Sequence, residues 1–290
     1  MKLRAAAGLA AGIMLAATAS LAQAAERIRF AVTDLAGLEQ LQREFGEFSG
    51  VLRQATGLEV DFFPVTSRTA AVEAMNAKRI DFVLTGPAEY VVFRKRGNAA
   101  PVVGFSRPDY FSNIVVLAGS PYQLPADLKG RKVAFGDVGS TSTHLGPIQT
   151  LADQGLVPGR DYQPMHVNRN VAMEALIRGD IAAVGMNFTH LKRAEASYPG
   201  TAFRVIARGR DLPADVLLAG AHVPESTVAT VRKAFTTHGD ALLKAMMVGE
   251  DNQKFKGGRF LPTIADAEYN YVRSMYATIG FPEYADFVGQ

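Results

Sequence analysis

Apolar residues recur along this chain in two alternating rhythms, and the alternation predicts an α/β protein. Ile28-Arg29-Phe30-Ala31-Val32 reads as a first strand. Leu38, Leu41, Phe45, Phe48 and Leu52 then recur at three- and four-residue steps, the spacing of one helix face. Gly57 is placed to end that helix. Val60 to Phe63 reads as the next strand, and a helix over 70–77 leads into a strand over 80–84. Gly86-Pro87 turns the chain into a helix that carries Tyr90. Further strands are expected at 113–117, 132–135, 162–167, 181–185, 203–207 and 216–221. A long helix is expected from Pro224 to about Met247, and a last one over about 265–279.

The pattern repeats weakly. Val72 to Val83 can be laid on Met173 to Val184, each reading as helix, tight turn and apolar strand. That fits two similar lobes with parallel sheets. No linker rich in Pro, Gly or Ser separates the halves, so domains strung on a linker are not expected. The chain is expected to cross between lobes twice, near Ser112 and near Arg208. Residues 25–112 and 209–290 would form one lobe and 113–208 the other, with the binding site in the cleft between them.

The first residues bear on compartment. Met1-Lys2-Leu3-Arg4 is a short positive region, Ala5 to Leu21 is apolar and alanine-rich, and Ala22-Gln23-Ala24 has the small-x-small pattern of a cleavage site. A cleaved signal peptide ending at Ala24 and a periplasmic mature protein are expected, with a membrane anchor as the alternative. Lys2 and Arg4 fall in this leader, so the mature chain carries 29 basic against 28 acidic residues. It has no basic stripe of the kind that binds nucleic acid. The absence of cysteine excludes disulfides and thiolate metal sites. His144, His190, His222 and His238 show no metal-ligand spacing and read as ordinary surface or core residues. No cofactor and no metal are expected, and the protein is expected to be a monomer.

The stretch richest in chemistry is Gly139-Ser140-Thr141-Ser142-Thr143, after the apolar Val133-Ala134-Phe135. Helix N-termini leave backbone N–H groups unsatisfied and carry partial positive charge, and hydroxyls add donors, so such a turn suits a phosphate-like anion. Plain N-capping is the other reading. The nucleotide-loop spacing and its lysine are absent.

Several segments resemble the phosphonate/phosphite-binding proteins of ABC importers. Ser140-Thr141-Ser142 with Pro147 resembles their S-T-S-G-x-x-x-P signature. Gly57 to Val60, Asp81 with Gly86-Pro87 and Tyr90, Asp127 to Val133, His166, and Phe260 to Arg273 resemble other family segments in the same order. The resemblance implies a two-lobed type II periplasmic binding protein with Rossmann-like lobes, a two-strand hinge and a central ligand cleft. It implies that Tyr90, Ser140, Thr141 and His166 contact an oxyanion, with Ser142 adjacent. It implies capture of a small phosphonate-, phosphite- or phosphate-like oxyanion for an importer's membrane permease. A sensor that docks on a membrane histidine kinase shares the fold and stays open as an alternative. The chain departs from the family at Thr143, which replaces glycine, and at Arg68, Asn187 and Arg210, where relatives carry aromatic or acidic groups. If these three face the cleft, the site has lost its groups for a cationic substituent and gained guanidiniums, which pair with phosphate and carboxylate. A Ser140/His166 hydrolase is the third reading. No Gly-x-Ser-x-Gly elbow is present to support it, and no enzymatic activity is expected.

Overall fold

In the computed structural model, residues 26–35 and 37–289 are described, and the expected signal peptide lies outside them. Their strands form two sheets. In the first, β1 (Arg27–Val32) leads through α1 (Leu38–Thr56) to β2 (Glu59–Phe62), then through α2 (Arg68–Asn76) to β3 (Phe82–Thr85). Helix α3 (Pro87–Arg96) follows, then β4 (Ala100–Phe105). The chain crosses to the second sheet with β5 (Phe111–Leu117), β6 (Lys132–Phe135), α4 (Gly146–Ala152), β7 (Gln163–His166) and α5 (Arg169–Arg178). Strand β8 (Ala183–Asn187), helix α6 (Phe188–Ser197) and strand β9 (Phe203–Asp211) complete that lobe. The chain then returns with β10 (Asp215–Ala219), α7 (Glu225–Thr237), α8 (Gly239–Met246), β11 (Phe260–Leu261) and α9 (Asn270–Thr278).

The sheets run β11-β4-β10-β3-β1-β2 and β7-β6-β8-β5-β9. They are mixed, which corrects the expectation of parallel sheets. β1 is parallel to β2 and β3, but β10 inserts antiparallel between β3 and β4. In the second sheet β6 is parallel to β7 and β8, while β5 is antiparallel to β8 and β9. The strands that arrive from the other lobe, β10 and β5, run against the βαβ units because they enter the sheet from its opposite end, whereas β4 and β9, which leave, run with them. The crossings lie at 106–110 and 212–214, and Leu212 N donates to Tyr110 O at 2.8 Å where they pass each other.

Packing explains the elements. Leu41, Phe45, Phe48 and Leu52 of α1 are fully buried, whereas Leu38 at its first turn is exposed. Gly57 ends the helix with φ 74°, a left-handed conformation that glycine adopts without steric cost. Phe30, Phe45, Phe48 and Phe235 bring their rings together under the first sheet. The expected long C-terminal helix is two helices broken at His238. The hydroxyl-rich turn does not open an α-helix directly. Residues Thr141–Leu145 form a π-helical turn, and α4 begins after it.

Candidate functional site

Open α/β sheets place ligands beyond the carboxyl ends of their parallel strands. Here those ends meet across one cavity of about 490 Å³ between the sheets. Asp34 follows β1, Gly86 follows β3, the hydroxyl turn follows β6, Asn168 follows β7 and Asn187 ends β8, and all of them line it. The crossing contributes Arg107 and Tyr110.

The π-helical turn shapes the hydroxyl group cluster. Ser140 O accepts from both His144 N (3.1 Å) and Leu145 N (3.0 Å), which widens the turn. Single π turns of this kind occur often at functional sites. Thr143 Oγ1 donates to Ser140 Oγ at 2.8 Å. A side chain on Gly136 would lie 2.4 Å from Thr143 Oγ1, so only glycine lets β6 exit this close to the turn. Ser142 Oγ accepts from Asn187 Nδ2 at 3.0 Å and is hydrogen-bonded to Tyr110. Thr141 Oγ1 accepts from Ala88 N of the other lobe at 2.9 Å. That leaves the Thr141 hydroxyl proton free to donate elsewhere. Ser140 makes no side-chain cap bond.

From the first lobe, Arg68 Nη1 bonds Asp34 Oδ1 at 2.6 Å and also bonds Glu89 Oε1. Lys254 Nζ bonds the other oxygen of Asp34 at 2.7 Å. Burial works to raise the Asp34 carboxyl, but Lys254 and Arg68 outweigh it and hold it well below the usual range. Burial pushes the Glu89 carboxyl up, with Arg68 opposing. Arg107 sits against buried Asp215, its guanidinium 3.6 Å from the Tyr110 ring centre. On the second lobe Arg169 and Arg193 line the cavity near His190. Burial, then Arg169 and Arg193, push the His190 imidazole down to about 3, so it is neutral at physiological pH.

Of the residues expected at the site, the cavity gathers Arg68, Ser140, Thr141, Ser142 and Asn187. Tyr90, His166 and Arg210 lie outside it. Tyr90 is two positions past Ala88, which turns it about half a revolution around α3 and into the first lobe's core. Its ring packs 4.1 Å from that of Tyr269, and its hydroxyl bonds Asp266. The tyrosine at the cavity is Tyr110. His166 is exposed at the end of β7, with its ring edgewise on buried His144 at 4.6 Å and Nδ1 3.3 Å from Gly136 O. Arg210 is exposed near the end of β9, its guanidinium 5.1 Å from the Tyr271 ring centre. Arg210 therefore adds no guanidinium to the cavity. His190, read as an ordinary histidine, lines the cavity, and its buried Nδ1 has no partner among the described residues.

The sequence reading also passed over Arg107, Tyr110, Arg169, Arg193 and Lys254. One signal for Arg169 was present. The internal repeat superposes positions 101 residues apart, which lays Arg169 on Arg68 as the first residue of α5 and α2. Lys254 lies in a short turn with no distinguishing local pattern.

The model of a family described as "ABC transporter, phosphonate, periplasmic substrate-binding protein" matches residues 30–255. The phosphate-import protein PhnD of Mycolicibacterium smegmatis is 29% identical over 139 residues, which cover 46% of this chain and 43% of that protein. The match thus spans less than half of that relative's length. The fold is similar to a binding protein component of an ABC phosphonate transporter from Pseudomonas aeruginosa, with TM-score 0.68, 17% identity, and coverage of 87% of this chain and 85% of that one. It is also similar to PhnD1 of Prochlorococcus marinus in complex with methylphosphonate, with TM-score 0.66, 18% identity, and coverage of 88% and 99%.

Proposed function

The chain belongs to the family of periplasmic phosphonate-type substrate-binding proteins of ABC transporters, and from that premise we propose that it captures a small oxyanion between its lobes for a membrane permease. The observation that carries this reading is the hydroxyl turn. Ser140 to Thr143 sit at the end of a parallel strand, in the interlobe cavity, facing a cation of the opposite lobe, Arg68. Hydroxyl donors and backbone amides suit the oxygens of a phosphonate, phosphite or phosphate, while Arg68 on the opposite wall is already paired with Asp34 and Glu89. Thr141 also bridges to Ala88, so the same turn that meets the anion holds the lobes together.

A thermal-shift series with methylphosphonate, phosphite and phosphate tests the reading. A ligand at about 100 times its Kd adds about 2.7 kcal/mol by mass action. In a chain of this size that is a rise of roughly 5–11 °C in melting temperature. No rise with any of them would remove the proposal.

The same reading assigns no catalysis to Ser140 and His166. Among the described residues neither bonds the other: Ser140 Oγ accepts from Thr143, and the His166 ring sits on His144. Turnover of an activated ester that is lost in Ser140→Ala would contradict this. Export completes the proposal. N-terminal sequencing of the exported protein is expected to begin at Ala25, and a retained Met1 on a membrane-bound product would contradict a cleaved leader.

A further inference from the structure

The internal repeat places two arginines in equivalent positions and gives them different partners. In the first lobe Arg68 opens α2 and pairs with Asp34 and with Glu89, in the first turn of α3 beyond its cap Gly86. In the second lobe Arg169 opens α5, and the residue laid on Glu89 is His190, in the first turn of α6 beyond its cap Asn187. A neutral imidazole cannot neutralise a guanidinium. Among the described residues Arg169 has no hydrogen bond and no ion pair; Asp251 and Asp137 act on it only from beyond ion-pair distance.

Two further features add positive charge at this end of the cavity, which Asp137 and Asp251 also line. Neither α5 nor α6 has an acidic residue in its first turn, so both present the positive end of the helix dipole uncompensated. A basic residue at the start of α5 opposes that dipole, and a bound anion would offset the repulsion. Arg193, on the next turn of α6, adds a second guanidinium, held by Glu250 O at 3.2 Å and 3.9 Å from Asp251. Arg169 is exposed toward the cavity rather than enclosed, so its charge is open to a bound molecule. The cavity, about 490 Å³, lies in the range that holds drug-sized ligands, well beyond a lone tetrahedral oxyanion.

We propose that Arg169, Arg193 and His190 form a second anion subsite, and that the ligand is two-headed: a phosphonate-type oxyanion at the hydroxyl turn carrying a carboxylate that reaches Arg169. This rests on the oxyanion-capture reading and narrows its substrate class. The guanidinium supplies the bidentate donors, and the His190 ring, which lines the cavity beside it, sets no carboxylate against it.

Calorimetry with matched pairs tests it: alkylphosphonates of two to four carbons against carboxyalkylphosphonates of the same length. At one or more lengths the carboxylate member is expected to bind roughly 10- to 150-fold more tightly, the range for a hydrogen bond to a charged group. Arg169→Gln is expected to erase that preference. His190→Glu, which builds the first lobe's internal partner into the second, is expected to erase it as well. Neither change should lower the ligand-free melting temperature, as loss of a structural contact would. Equal binding of both members at every length overturns the subsite and leaves oxyanion capture standing. A preference that survives both substitutions overturns the assignment to Arg169. No binding of any member removes oxyanion capture and the subsite together.

Discussion

Thr141→Val is expected to weaken methylphosphonate binding by roughly 10- to 150-fold, the loss typical of one hydrogen bond to a charged group. Valine keeps the shape of threonine and removes the hydroxyl. Two interactions go with it. One is the donor offered to the oxyanion. The other is the acceptor for Ala88 N across the lobes, at 2.9 Å and buried, so the substitution also leaves a buried N–H unpaired whenever the lobes meet. The first loss falls on the ligand-bound state, and the second on every state in which the lobes meet. Ser140→Ala separates this from simple helix capping. Among the described residues Ser140 makes no cap bond, and its Oγ accepts from Thr143 Oγ1 alone. Its replacement should therefore leave the ligand-free melting temperature nearly unchanged while affinity falls. Calorimetry and a melt of the ligand-free protein read the two quantities separately. Unchanged affinity in both variants would place the anion elsewhere in the cavity.

How far the sequence led depends on whether each feature is local. Helix α1 was legible because its apolar stripe and Gly57 are both short-range signals, and burial of Leu41, Phe45, Phe48 and Leu52 follows the stripe. Strand order was not legible. Nothing within 215–219 says that β10 will insert antiparallel between β3 and β4, because that depends on the chain's return from the other lobe. Pro101 masks β4, since proline argues against a paired central strand. The ladder admits it only where the register shifts, between Leu217 opposite Val103 and Leu218 opposite Pro101.

The site divides along the same line. The hydroxyl turn could be found because the residues and the strand before them are contiguous. The π turn that aims them could not, since it depends on Ser140 O accepting two N–H groups. Tyr90 was misplaced by half a turn of helix, a precision that motif spacing does not supply. Asn187 lines the cavity, yet its partner Ser142 lies 45 residues away, and only the fold joins them. Arg169 was within reach, because extending the repeat by a few residues aligns it with Arg68. What the repeat could not say is that Glu89 pairs with one arginine while His190 leaves the other open.

Arg107→Leu is expected to destabilise the protein by roughly 3–5 kcal/mol, the usual cost of stranding one member of a buried ion pair. For a chain of this size that lowers the melting temperature by roughly 6–20 °C. Arg107 lies in the first crossing and Asp215 just after the second, with side chains 8% and 3% exposed, so the pair fastens the two hinge segments together. Burial pushes the Asp215 carboxyl up, and Arg107 is the main group pulling it back. Without Arg107 that carboxyl should rise further above its unfolded value of about 3.9. A group whose folded pKa is raised binds more protons folded than unfolded, so stability falls as pH climbs from the unfolded value to the folded one. The deficit of Arg107→Leu relative to the parent should therefore shrink as pH is lowered from 7 toward about 4.5. Adding Asp215→Leu should recover much of the loss at pH 7 and remove the pH dependence of the difference, since an apolar pair can replace a buried ion pair with little cost. Thermal melts of the three proteins across that range read both effects. A deficit that is constant with pH, or that Asp215→Leu deepens, would show that Arg107 stabilises the hinge through its stacking on Tyr110 rather than through its charge.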